Sequence, residues 1–106
     1  MWKSSGSGAA IGSTFVSYAN ASSFTGLCNP RLGVSFVNSS GKVRVVMVTM
    51  VNGQHVSSFA YINNAIVAQQ YGWTYGLLAP FTLLVPPGAS YMIDGGTRCD
   101  VWTEFQ

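Results

Sequence analysis

The feature that most constrains the fold is residues 43–51, a run rich in β-branched side chains that carries one charge, on Arg44. Such side chains favour strands. Alternate residues of a strand point to opposite faces. One face here carries Val43, Val45, Met47, Thr49 and Val51, and the other carries Arg44, Val46, Val48 and Met50. Because both faces are mainly apolar, the strand is predicted to be covered twice, by its own core and by another chain.

Turn signals divide the rest of the chain into short strands. Asn52-Gly53 predicts a hairpin turn, because both residues accept positive φ, with residues 55–62 returning as the partner strand. Further strands are predicted at 13–19, 34–38, 65–70, 79–85, 90–93 and 97–105. About eight short strands indicate an all-β domain, a small antiparallel β-sandwich or partly open barrel. This domain spans residues 13–106, whereas the Gly- and Ser-rich residues 1–12 are predicted to form a linker or the end of a shaft.

Composition points to assembly rather than to membranes or nucleic acids. Only 8% of residues are charged, against about 25% in ordinary soluble domains. No apolar run approaches the ~20 residues of a membrane helix, so no membrane insertion is expected. Residues 1–12 also lack the apolar centre of a signal peptide. The five basic residues are scattered, which gives nucleic acid no basic surface to bind. The low charge is best explained by surface buried between copies of the chain.

The last strand suggests where such copies meet. Strict alternation places Cys99, Val101 and Phe105 on one face and Arg98, Asp100, Trp102 and Glu104 on the other. Trp102 then lies on the charged, outer face, and tryptophan is enriched at interfaces. The interface between copies is therefore predicted to contain Trp102, Arg44, Val46, Val48 and Met50.

Four segments together resemble a known family. They are residues 33–42 (GVSFVNSSGK), 61–68 (YINNAIVA), 85–91 (VPPGASY) and 101–105 (VWTEF). Their order resembles that of the C-terminal domains of bacteriophage tail fibres. The resemblance implies a homotrimeric tip, made in the bacterial cytoplasm and carried on the virion, that binds a cell-surface polysaccharide or outer-membrane protein. Two alternatives stay open: a structural module that only caps the fibre trimer, and an enzyme that degrades the surface glycan.

The candidate receptor-binding residues lie in loops. If consecutive strands run up and down, the loops 20–33, 52–55, 71–78 and 94–96 gather at one end, away from both termini and the shaft. Tyr71, Trp73 and Tyr75 would stack on sugars, although burial of these rings is an equal alternative. Hydrogen bonds would come from Asn52, Gln54, His55 and Arg31.

Catalytic and metal chemistry have little basis in the sequence. The single histidine, His55, has no nucleophile motif with it, so neither an enzyme nor a cofactor is predicted. A metal held by three copies of His55 on the trimer axis stays an alternative. Cys28 and Cys99 lack a second ligand pair for zinc. Two buried, reduced thiols are favoured over a disulfide, since phages assemble in a reducing cytoplasm.

Overall fold

The fold contains eight strands and one short 3-10 helix in the part of the chain that the structure describes. The computed structural model describes residues 15–19, 28–74 and 76–105, with backbone alone for 15–19. The elements are β1 (Phe15–Ala19), η1 (Asn29–Arg31), β2 (Phe36–Val37), β3 (Arg44–Asn52), β4 (Ser57–Ile62), β5 (Ala65–Tyr71), β6 (Leu77–Val85), β7 (Ser90–Gly95) and β8 (Arg98–Phe105). Within those ranges no helix is long and apolar enough to cross a bilayer. The predicted linker, residues 1–12, lies outside the described residues.

The strands form two four-stranded sheets, and every pairing is antiparallel. The first sheet has the order β1-β8-β3-β6, and the second has the order β2-β7-β4-β5. Both sheets contribute to one core cluster, in which Val46, Val48 and Leu83 of the first sheet accompany Tyr91 and Ile93 of the second. The prediction of an all-β, antiparallel domain is confirmed.

The predicted hairpin at Asn52-Gly53 is wrong. β3 pairs with β6 and β8, whereas β4 pairs with β5 and β7, so the chain crosses between the sheets at this point. β3 is an interior strand of the first sheet, with β6 hydrogen-bonded along one edge and β8 along the other. Its alternation did not specify which strands those neighbours would be.

The β4–β5 connection is the tight hairpin. Asn63 and Asn64 have φ of 50° and 65°, the left-handed region that asparagine tolerates. Ile62 pairs with Ala65 directly across the turn. The tight turn and the strand predicted at 65–70 are both confirmed.

A β-bulge reverses the faces of β8. Thr49 pairs with Val101 and Met50 pairs with Cys99, which leaves Asp100 as the extra residue. An extra residue shifts the alternation beyond it by one position. Cys99 and Trp102 consequently both face the core and are both 0% exposed. The prediction that Trp102 lies on the outer face is therefore wrong.

The same burial corrects the predicted interface. Trp102, Val46, Val48 and Met50 are at most 1% exposed within the single chain. The side chain of Arg44 is 11% exposed, and its Nη1 donates a hydrogen bond to the Tyr91 hydroxyl at 2.9 Å. These residues fill the chain's own core and leave almost no surface for another copy. The face of β3 that carries Val45, Met47 and Thr49 is the outer one.

Hydrogen bonds confirm the predicted grouping of the turns at the two ends of the domain, except for the loop 20–33, of which residues 20–27 lie outside the described residues. At one end, Asn38 Nδ2 donates to the carbonyl oxygens of Lys42 and Val85, and Asn63 N donates to Ser90 O. At the other end, His55 N donates to Gly72 O, and Thr97 N donates to Val51 O. We call the second group of turns the loop end.

Cys28 and Cys99 form a disulfide that spans 71 residues of sequence. The bridge ties the start of η1 to β8, and Cys99 N also donates to Asn29 Oδ1 at 2.7 Å. The expected closeness of the two cysteines is confirmed, but the preference for reduced thiols is wrong. That preference rested on the compartment of synthesis, which does not determine the pairing of two buried cysteines.

Candidate functional site

Three side chains form a contiguous cluster at the loop end. Nδ1 of His55 lies 2.7 Å from the hydroxyl oxygen of Tyr71. The rings of Tyr71 and Trp73 meet edge to face with centroids 4.6 Å apart. Trp73 is 73% exposed, the largest exposure among the large apolar side chains described. The structure thus brings together three of the predicted receptor-binding residues, which we call the aromatic cluster.

Gly72 fixes the backbone between Tyr71 and Trp73. Its N–H donates to Val56 O at 2.9 Å, and its carbonyl accepts from His55 N at 2.7 Å. A Cβ at this position would overlap the carbonyl oxygen of Gly53, so the close approach of the two segments requires glycine. Two backbone hydrogen bonds therefore hold Trp73 beside His55 although its own ring is exposed.

Asn52 and Gln54, both predicted receptor contacts, have different environments. Asn52 is 0% exposed, and its Nδ2 donates to Ser58 Oγ at 3.0 Å and to Gln70 O at 3.2 Å. Burial gives Asn52 a structural role in joining β3 to the second sheet, so its predicted receptor contact is wrong. Gln54 is exposed next to His55 and stays a candidate.

Arg31 does not belong to the aromatic cluster. Its guanidinium carbon lies 4.1 Å from the Phe36 ring centroid and 4.7 Å from that of Trp102. Its Nη2 is 3.4 Å from Oε2 of Glu104, a residue that pairs with Val46 on β3. Val46 is six residues from Asn52, or roughly 20 Å along an extended strand. The prediction that Arg31 joins the loop-end site is therefore wrong, and Tyr75 lies outside the described residues.

The sequence reasoning missed a buried polar cluster around Glu104, which is 1% exposed. Its Oε2 accepts hydrogen bonds from Tyr91 and from Trp102 Nε1, both at 2.9 Å. Its Oε1 lies 3.6 Å from Arg44 Nη1. One carboxylate therefore forms ion pairs with two arginines, and its own buried charge is both paired and hydrogen-bonded, as a buried charge requires. In the sequence, the signal for this buried cluster was the lone arginine, Arg44, at the start of the apolar strand β3.

The Tyr91 hydroxyl shares this environment. Burial raises its pKa from 10.0 to about 12; among the smaller influences, Arg44 lowers the pKa and Glu104 raises it. Tyr91 is thus a neutral donor to Glu104 throughout the physiological range. The cluster stabilises the core.

An open groove lies on the outer side of the first sheet. Its volume is about 330 Å³, and its lining includes Met47, Thr49, Pro80, Val101 and Thr103. The lining contains no charged residue and no histidine. The groove therefore offers apolar contact and hydroxyl groups, but no nucleophile or acid–base pair.

The chemistry available at the loop end is that of binding. The aromatic cluster presents an exposed indole, a phenol and an imidazole. Among the described residues, no group of three or more His, Cys, Asp or Glu side chains could hold a metal ion. Stacking and hydrogen bonding are what Tyr71, Trp73 and His55 supply. In comparisons with known proteins, no family model, curated protein or solved structure matches this chain.

Proposed function

We propose that this domain is the receptor-binding tip of a bacteriophage tail fibre, trimeric on the virion, which adsorbs to a bacterial surface glycan or outer-membrane protein. The observation that carries the proposal is the aromatic cluster. Trp73 is 73% exposed yet held in place through Gly72. An exposed ring on a fixed backbone can bind without first becoming ordered, which lowers the entropic cost of association.

A glycan suits the chemistry of this cluster best. An indole face packs against sugar C–H groups, while phenol and imidazole groups hydrogen-bond to sugar hydroxyls. Trp73 supplies the first kind of contact, and His55 and Tyr71 supply the second. The cluster contains no arginine or lysine, which favours a neutral saccharide over an anionic one.

The strand orders support a jelly-roll β-sandwich. Eight strands in two sheets, with consecutive strands crossing repeatedly between them, suit two interlocked Greek keys, an architecture found in viral and lectin domains. This support is an analogy at the level of the fold and does not assign the function. Trimeric assembly would place three aromatic clusters on one tip, and three linked weak sites bind far more tightly than one.

The test is adsorption of the purified domain to intact cells of candidate hosts. We expect Trp73→Ala to abolish adsorption while leaving assembly and melting unchanged, because an exposed ring contributes little to the core. The matched control is Val37→Ala, which shortens a side chain that is 57% exposed at β2, away from the loop end. Equal adsorption by wild type and Trp73→Ala would refute the assigned site.

One observation favours a second function, a structural module that caps the fibre trimer. The outer side of the first sheet is uncharged and grooved, as a surface made for packing would be. If the domain forms a stable trimer but adsorbs to no host that the intact phage infects, the structural function replaces receptor binding.

A further inference from the structure

The outer side of the second sheet carries two aromatic rings on an interior strand, β4. Ser58 and Ala60 of this strand are 0% exposed and face the core. By alternation, Phe59 and Tyr61 point to the outer side. Their ring centroids lie 6.4 Å apart, and both side chains are partly exposed. Because directly paired residues of neighbouring strands face the same side of a sheet, the partners of Phe59 share this outer side.

Two polar side chains flank the Phe59 ring. Asp94 of β7 pairs with Phe59 along one edge of β4, and Gln69 of β5 pairs with it along the other. Both are exposed, and within the described part of the chain neither side chain has a hydrogen-bond or ion-pair partner. A carboxylate and an amide are therefore free to bind on the two sides of an aromatic ring. We call Phe59, Tyr61, Gln69 and Asp94 the second-sheet site.

The second-sheet site continues into the aromatic cluster. Tyr71 pairs with Ser57, which is two residues from Phe59 on β4, or roughly 7 Å along the strand. The Tyr71 ring in turn contacts the ring of Trp73. Rings therefore follow one another from the loop end along the outer side of the second sheet, in the order Trp73, Tyr71, Phe59 and Tyr61.

The chemistry of the second-sheet site favours a neutral saccharide. Aromatic faces pack against sugar C–H groups, and carboxylate and amide groups hydrogen-bond to sugar hydroxyls. Asp94 is the one charged residue in the four strands of the second sheet, all of which the structure describes. A second copy of this surface would bury that carboxylate without a counter-charge, and an anionic polymer would be repelled by it. A neutral saccharide instead supplies hydroxyl groups that donate to it.

From these observations we propose that the second-sheet site and the aromatic cluster together bind one neutral polysaccharide chain, which runs along β4 from Trp73 towards Tyr61. The inference rests on the proposed function and adds the extent of the site and the class of its ligand. Phe59 stacks on a sugar unit beyond the one at Trp73, and Asp94 and Gln69 hydrogen-bond to the hydroxyls of that unit. A chain that contacts both parts binds more tightly than a fragment that contacts the aromatic cluster alone.

The test is binding of the purified domain, by titration calorimetry, to neutral and anionic bacterial surface polysaccharides, and then to fragments of the best neutral one graded in length. We expect Asp94→Ala and Gln69→Ala each to weaken binding of the longest fragments about tenfold and to leave binding of disaccharides unchanged. Trp73→Ala should weaken binding of both. The matched control is Thr82→Ala, which alters an exposed strand residue on the outer side of the first sheet and should bind every fragment as wild type does.

Each outcome bears on a separate claim. Wild-type affinity of Asp94→Ala and Gln69→Ala for the longest fragments overturns this inference, while the receptor site at Trp73 would stand. Equal binding of fragments of every length, or stronger binding of anionic than of neutral polysaccharides, also overturns it. If wild type adsorbs to host cells but binds no neutral saccharide, the inference fails and the proposed function keeps a protein receptor. Receptor binding itself is judged by the adsorption of wild type and Trp73→Ala to cells.

Discussion

Replacing Glu104 with glutamine should destabilise the domain more than any other single isosteric change in the buried cluster. The carboxylate is 1% exposed and forms ion pairs with both Arg31 and Arg44. Glutamine keeps the shape and can still accept from Trp102 and Tyr91. It removes the negative charge that lies beside two guanidinium groups, whose side chains are 20% and 11% exposed.

The magnitude follows from the loss of that counter-charge. Removing one partner of a buried ion pair costs about 3–5 kcal/mol. Because both arginines keep some contact with solvent, we expect the loss for Glu104→Gln to lie near the lower end of this range. Arg44→Met is the comparison, because it keeps the aliphatic stem and leaves Glu104 paired with Arg31. Its main loss is the hydrogen bond to the Tyr91 hydroxyl, or roughly 1–2 kcal/mol.

The assay is urea unfolding followed by tryptophan fluorescence, with all variants at one protein concentration because the apparent stability of a protein that assembles depends on its concentration. We expect Glu104→Gln to lower the free energy of unfolding at least twice as much as Arg44→Met. A loss below about 1 kcal/mol for Glu104→Gln, within the range of exposed ion pairs, would refute the reasoning. Equal losses in the free energy of unfolding for the two variants would show that the hydrogen bonds of the cluster matter more to stability than the negative charge of Glu104.

Three further outcomes are expected. Replacing both Cys28 and Cys99 with alanine should lower the free energy of unfolding by about 4 kcal/mol, because the bridge no longer restricts a loop this long in the unfolded chain. In urea, reduced wild type should unfold with the same free energy as this variant. A variant as stable as oxidised wild type would contradict the prediction. Because the folded pKa of Tyr91 is raised to about 12 from 10.0, its contribution is complete below pH 10 and is lost as the pH rises towards 12, by ~3 kcal/mol in all. Tyr91→Phe should lack that decline in a pH series of unfolding curves, and an identical decline would refute the assignment. Gly72→Ala should destabilise by ~1–3 kcal/mol through overpacking against Gly53 and weaken adsorption, whereas wild-type melting would show that the loop adjusts.

Sequence alternation predicted the strands better than their partners. The apolar run at 43–51 indicated β3, and the asparagine pair at 63–64 indicated a real tight turn. The signal at Asn52-Gly53 marked a true reversal, but the residue with positive φ in that turn is His55, with φ of 64°. Pairing is decided by contacts distant in sequence, which a local pattern does not contain.

The candidate site was predicted in part, for a related reason. Short-range signals, a glycine between aromatic residues and a histidine after a turn, indicated the loop that holds Tyr71 and Trp73. Arg31 and Trp102 were misplaced because their positions depend on the bulge at Asp100 and on a charge partner 73 positions away from Arg31. When alternation is counted through a bulge that the sequence does not mark, every later residue of the strand is assigned to the wrong face.

The disulfide has a consequence for limited proteolysis of this domain. Cys28 and Cys99 close a covalent ring, and four of the five basic residues, Arg31, Lys42, Arg44 and Arg98, lie inside it. A single tryptic cut at exposed Lys42 therefore opens the backbone without releasing a fragment. The two pieces stay joined through sulfur and through strands on both sides of the break. Such a nick would appear on a gel only after reduction, and the domain would lose backbone continuity while keeping its loop end in place.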